Sequence, residues 1–234
     1  MAEQHQVVTR EQWLTTRRAL LAKEKEFTHL RDALNQQRRD LPWVKVEKPY
    51  AFDGPDGRET LAQLFGPRRQ LIVYHFMFNP ADDQGCKHCS FWADHYDGMG
   101  VHLNHRDVTF VVVSRAPLAK LQAFQQRMGW RFKWVSSAPS DFNYDYHVSF
   151  SPEALERETV FYNYVNDSHG MPEREGASVF YKDPQGTVFH TYSTYARGID
   201  MLNGTYNFLD LTPKGRDEGD SPQSWVRYHD RYTD

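Results

Sequence analysis

Leu71-Ile72-Val73-Tyr74-His75-Phe76-Met77-Phe78 is followed, after a short loop, by Gly85-Cys86-Lys87-His88-Cys89-Ser90. The first stretch is apolar and of strand length. The second holds the only two cysteines of the chain, three residues apart, where a helix would begin. A core strand, a short loop and a CxxC opening a helix predict a reactive dithiol at the end of that strand.

Working outward, the helix that starts near Cys86 should run to about Tyr96, where Asp97-Gly98-Met99-Gly100 breaks it. Residues 108–113 are nearly all β-branched and predict a second core strand. Residues 117–128 predict a helix, with Pro117 at its first turn, Leu118, Leu121, Phe124 and Met128 on one face, and Gly129 past its end. This alternation of strand and helix implies parallel strands joined by crossovers. Residues 133–135 read as a short strand and 136–151 as loop. Two alternating strands, 178–182 and 187–192, flank the turn Asp183-Pro184-Gln185-Gly186. A closing helix is expected over 197–210.

Upstream, Thr9-Arg10-Glu11-Gln12 is a capping-box pattern opening an amphipathic helical arm over 9–39, which ends near Leu41-Pro42. Residues 44–65 suggest a small hairpin around Gly54-Pro55-Asp56-Gly57 and a helical turn before the first core strand. The expected organisation is an arm (1–42), an α/β domain with a central mixed sheet flanked by helices (43–212) and a C-terminal tail (213–234).

Composition narrows the function. With 234 residues and a formal net charge of -3, the chain lacks the basic character of a nucleic-acid binder. Its longest apolar run has eight residues and is interrupted by His75, too short to span a bilayer. The first six residues lack a signal peptide's basic start and apolar stretch, so a cytoplasmic location is expected. In that reducing compartment two isolated cysteines suit a cycling dithiol or a metal site rather than a structural staple.

The dithiol reading assigns Cys86 as nucleophile, because the first turn of a helix favours an anion, and Cys89 as the resolving thiol one turn on. His88, between them, adds titratable positive character. Lys87 reads as an exposed neighbour. No bound cofactor is required by this chemistry. The alternative is a copper or zinc site formed by Cys86, His88 and Cys89, with a fourth donor from His75, Asp82 or Asp83. His102 and His105 form a further candidate pair, although ordinary surface histidines explain them as well. His75 is either a hydrogen-bonded strand residue or a proton acceptor for the thiols. Asp141 and Phe142 in an aromatic-rich loop, and Gly176 and Ala177 before the hairpin, are candidate substrate-binding residues. The expected partners are a disulfide or other oxidised-sulfur substrate and an external reductant, with neither nucleic acid nor membrane. A second copy of the chain is a further candidate partner through the 9–39 arm.

Longer segments carry a resemblance. They are 69–78, 85–94, Arg106-Asp107-Val108-Thr109, Ser114-Arg115-Ala116-Pro117-Leu118, Met128-Gly129-Trp130 and 189–195. In these the chain resembles the thioredoxin-like family of predicted dithiol-disulfide oxidoreductases long catalogued as a bacterial domain of unknown function. The resemblance implies a thioredoxin-like fold and a redox-active CxxC. Two departures qualify it. No proline stands immediately before Ser178, where thioredoxin has its cis-proline. Asp83 stands three residues before Cys86, where peroxiredoxins have a threonine. An acid there opposes a thiolate, which makes thiol peroxidase the further alternative.

Overall fold

The computed structural model describes residues 5–157, 159–168 and 170–233. Residues 1–4, part of the stretch read for a signal peptide, lie outside them. The chain divides into two compact units, residues 1–42 and 43–234.

In the first unit, α1 spans Arg10–Arg39. The Thr9 side chain accepts from the Gln12 N–H while the Gln12 side chain accepts from the Thr9 N–H at 3.0 Å, completing the expected capping box. Arg38 and Arg39 fall in the last turn, where the helix dipole favours cations. No residue of α1 is buried. Trp13, Leu20, Phe27 and Leu34 recur every seven residues as an exposed apolar stripe.

The second unit begins with β1 (Val44–Lys45), β2 (Ala51–Gly54), β3 (Gly57–Thr60) and a helical turn, α2 (Leu61–Leu64). The core strand β4 (Gln70–His75) is followed by α3 (Lys87–Ala93) and α4 (Gly100–His105), then β5 (Val108–Ser114), α5 (Leu118–Met128) and β6 (Lys133–Ser136). Gly129 ends α5 at φ 68°, a left-handed cap that glycine adopts without a Cβ penalty. Next come α6 (Phe142–Asp145), α7 (Pro152–Leu155) and the strands β7 (Val160–Tyr162) and β8 (Val165–Asp167). The chain then forms β9 (Gly176–Lys182), β10 (Val188–Tyr195), a 3-10 segment at Ala196–Leu202, and α8 (Gly204–Leu209).

The main sheet has the order β1-β10-β9-β4-β5-β6-β2-β3. β4, β5 and β6 are parallel, while β9 runs antiparallel to β4 and β10 antiparallel to β9. This is the thioredoxin-like architecture: a mixed sheet whose central strand leads into the dithiol helix. The two-residue alternation of β4 separates two cores. Leu71 and Val73 join Val111, Val113, Phe142 and Phe180 on one face. Tyr74, followed by Phe76 and Phe78, joins Trp92, Phe124 and Trp134 on the other. Each fully buried large side chain of this kind stabilises the fold by about 1.5–3 kcal/mol.

Several expectations change. The 44–52 stretch separates, with β1 pairing to β10 at one edge and β2 pairing to β6 towards the other. α6 forms within the stretch read as loop. The single helix expected over 197–210 is interrupted at Asn203, whose backbone is not helical (φ -101°, ψ 103°). Its side chain instead caps α8, accepting from the Tyr206 N–H at 3.1 Å. The described part of the 213–234 segment packs into the second unit, where Val226 is fully buried beside the dithiol-side core.

Candidate active site

The loop joining β4 to α3 is held along its length. The Cys86 N–H donates to the Met77 carbonyl (3.0 Å), and the Ala116 N–H donates to the Phe78 carbonyl (2.8 Å). Asn79 folds the turn by accepting from the Ala81 N–H at 3.0 Å. The Lys120 ammonium donates to the carbonyls of Pro80 (2.9 Å) and Asp82 (2.8 Å). The Tyr228 hydroxyl, from the C-terminal segment, donates to the Gly85 carbonyl at 2.7 Å. Gly85 packs so closely that a Cβ there would lie 2.6 Å from the Phe76 ring. The CxxC is thus fixed against the core before its helix starts.

Cys86 is the N-cap of α3 and is half-buried, whereas Cys89 is buried one turn on. Both are free thiols. A hydrogen bond from the Cys89 side chain is the main reason the Cys86 thiol lies well below its ordinary value. The neighbouring His88 side chain and Cys89 backbone N–H add to this, against the opposing effect of burial. Cys89 moves well upward, first through burial and then through its bond to Cys86. The Met77 N–H reaches its sulfur at 3.4 Å. The environment therefore favours the thiolate at Cys86 and the protonated thiol at Cys89.

Both sulfurs face a cavity of about 270 Å3. Tyr74, Met77, Trp92 and Ile199 give it apolar walls, and His88, Glu175 and Gln223 supply polar edges. The Trp92 indole donates to the Ile199 carbonyl at 2.9 Å, tying the 3-10 segment to α3. Glu175 precedes β9, and burial raises its carboxyl above the ordinary range, with the Cys86 charge adding to the effect. Sequence reasoning missed Glu175, although the acidic Glu173-Arg174-Glu175 run beside the expected hairpin was a signal. It also missed Tyr74 and Trp92, whose roles as core and as cavity wall are indistinguishable by residue type.

The other named residues are dispersed. Gly176 and Ala177 have their backbones committed to the sheet, pairing with His75 and Tyr74 on one side and Tyr195 and Thr194 on the other. Neither lines the dithiol cavity, although the adjacent Glu175 does. Asp141 is ion-paired to Lys48 at 2.8 Å, and Phe142 is fully buried in the opposite core. His75 also lies on that opposite face, completely buried and stacked on Phe142 at 5.6 Å, with Nε2 hydrogen-bonded to Ser178 at 2.8 Å. Burial lowers its imidazole to about 3. Asp82, Asp83, His102 and His105 are exposed and do not line the cavity. Among the described residues, no three His, Cys, Asp or Glu side chains gather as a metal-binding group.

Residues 2–232 match the profile of a family described as "Bacterial protein of unknown function (DUF899)". No curated protein matches the sequence. Among solved structures, the chain is similar to peroxiredoxin Q from Xanthomonas campestris, with 12% identity over 75% of this chain and 99% of that one and a TM-score of 0.48. It is also similar to peroxidoxin BcpB from Mycobacterium tuberculosis, with 13% identity over 70% and 95% of the two chains and a TM-score of 0.44.

Proposed function

Taking as premise that the chain belongs to the DUF899 family of bacterial proteins, we propose that it is a thiol-disulfide oxidoreductase acting on a small disulfide or another oxidised sulfur. The observation that carries this reading is the division of protons between two sulfurs opening on one cavity: Cys86 is held as thiolate by a Cys89 thiol.

The Cys86 thiolate attacks one sulfur of the substrate, breaking its S–S bond and leaving Cys86 in a mixed disulfide. The departing thiolate takes up a proton, for which the buried Glu175 carboxyl is the nearby source. Cys89 then gives up its proton to the carboxylate that Glu175 became in the first step, which passes it to the departing group, and the Cys89 thiolate attacks the Cys86 sulfur. This closes the intramolecular disulfide and releases the second half of the substrate as a thiol. The substrate gains two electrons and the protein loses two, which an external dithiol reductant restores. The cavity suits a compact substrate, because both edges of β9 are already paired and offer no strand for an extended polypeptide. This reading puts the protein in the cytoplasm, where dithiol reductants are maintained.

The test is turnover of hydroxyethyl disulfide with dithiothreitol as reductant, alongside a redox titration of metal-free protein. A two-electron transition lost in Cys86→Ser, with mixed disulfide accumulating in Cys89→Ser, supports the proposal. Turnover of hydrogen peroxide without turnover of the disulfide would replace it with the thiol peroxidase reading. Stoichiometric copper or zinc in freshly purified protein, lost in His88→Ala, would replace it with the metal-binding one.

A further inference from the structure

A second cavity, of about 360 Å3, opens beside β1, β10, the end of α6 and the β7–β8 hairpin. Tyr50, Tyr146, Phe161 and Tyr164 present rings to it, and His147 and His190 present imidazoles. None of these residues lines the dithiol cavity. Phe161 and Tyr164 remain 43% and 61% exposed, although covering such rings is favourable.

Tyr164 keeps that position against its backbone preference. Asn163 and Tyr164 form the two-residue turn between the paired Tyr162 and Val165, with φ values of 49° and 66°. Such a turn favours glycine at its second central position. The Tyr164 hydroxyl donates to the Ser193 carbonyl at 2.9 Å and its ring meets Tyr195 at 5.7 Å, folding the hairpin over the cavity. His147 is also left-handed, at φ 54°, and its ring stands edge-on to Phe161 at 4.9 Å. Two non-glycine residues held in this conformation at one cavity follow the pattern of ligand clamps.

The floor is rigidly set. His190 Nε2 lies 2.7 Å from Ser193 Oγ, which lies 2.8 Å from Ser178 Oγ, itself 2.8 Å from His75 Nε2. This chain of hydrogen bonds runs from the cavity into the centre of the sheet and fixes the His190 ring. A cation is already provided: Lys48 Nζ sits 5.7 Å over the Tyr50 ring and pairs with Asp141 and Asp145 at 2.8 and 2.7 Å. An aromatic cage for a free cation would need that acidic partner and that ring face. What remains is an aromatic-lined space that can take a planar ring, with a polar edge at His147, whose ring makes no hydrogen bond among the described residues.

We propose that this cavity binds a neutral planar heteroaromatic ring, of nucleobase or nicotinamide size, covered by Phe161 and Tyr164 and met at its edge by His147. The experiment titrates the full-length protein with adenine and, separately, nicotinamide, followed by saturation-transfer NMR. Phe161→Ser removes an exposed ring, and Tyr164→Gly installs the residue that the turn favours, so the fold should survive in both. The expected result is saturable binding of at least one probe, weakened about tenfold by either variant and unchanged in Cys86→Ser. The proposal is overturned if neither probe binds at millimolar concentration, or if both variants bind as wild type does. Loss of binding in Cys86→Ser, or tighter binding of tetramethylammonium than of either ring, would overturn it equally.

Discussion

Replacing Cys89 tests how the nucleophile is made. The largest cause of the low Cys86 thiol value is the hydrogen bond from the Cys89 side chain, with His88 and a backbone N–H contributing less. A hydrogen bond to a charged group is worth about 1.5–3 kcal/mol. One pH unit corresponds to about 1.4 kcal/mol, so Cys89→Ala should move the Cys86 titration upward by about one to two pH units. Cys89→Ser keeps a donor at nearly the same place and should titrate lower than Cys89→Ala by most of that difference. The assay is the rate of iodoacetamide alkylation of the single remaining cysteine against pH, checked by the ultraviolet absorbance of the thiolate. Superimposable alanine and serine profiles would show that the neighbouring donor does not set the thiolate, and the division of roles between the sulfurs would fail with it.

Further outcomes follow from the buried titratable groups and from packing. Glu173 is buried beside Arg115, and desolvation lifts its carboxyl to about 7 from 4.5 despite that partner. Its contribution to stability is therefore full below pH 4.5 and lost as the pH rises through 7. His75, depressed to about 3 from 6.5, acts in the opposite sense, with its contribution full above pH 6.5 and lost on acidification. The half-buried His190 and the more exposed His147 are also shifted downward by desolvation and have the same sign as His75. Glu173→Gln removes the compensation, so urea unfolding across the range 4.5–7 should show stability falling on acidification more steeply than wild type, by about 1.4 kcal/mol per pH unit; parallel profiles would refute this balance. Gly85→Ala forces a methyl against Phe76 and should cost about 1–3 kcal/mol in the same assay, whereas an unchanged midpoint would mean that the loop yields. The seven-residue stripe of α1 is expected to pair with that of a second copy, so sedimentation should find a dimer that Phe27→Glu converts to monomer; a monomeric wild type at micromolar concentration removes the idea.

The parts of this fold legible in sequence are those fixed by local physics. The capping box at Thr9, the β-branched core strand, the glycine after α5 and the cysteines at a strand–helix junction each state their structure within a few residues. The alternation of β4 also held the answer for His75, since period two groups it with Leu71 and Val73 and opposes it to Tyr74. Asn203-Gly204-Thr205 was a readable helix start in the middle of the expected closing helix. By contrast, nothing within 44–52 says that its two halves leave for different regions of the sheet, because strand partners are chosen by non-local pairing. The Glu173-Arg174-Glu175 run marked acids beside the expected hairpin, but only the β9–β4 register brings Glu175, rather than Glu173, to the cysteines.

That distinction separates reactivity from selectivity in this chain. The interactions that lower the Cys86 thiol come from His88 and Cys89, within one helical turn, so any sequence that starts α3 this way carries the nucleophile with it. The space above the sulfurs is built by Ile199 from the 3-10 segment, Glu175 from the approach to β9 and Gln223 from the C-terminal segment. These segments were the least legible, and together with Tyr74, Met77 and Trp92 they shape what reaches the Cys86 sulfur. Tyr228 joins the two levels, since its segment both walls the cavity through Gln223 and grips the carbonyl of Gly85, the residue before the nucleophile. Substitutions at Gln223 or Ile199 should therefore change which disulfides turn over while leaving the Cys86 titration in place. Substitution at Tyr228 is the case in which substrate choice and thiol reactivity move together.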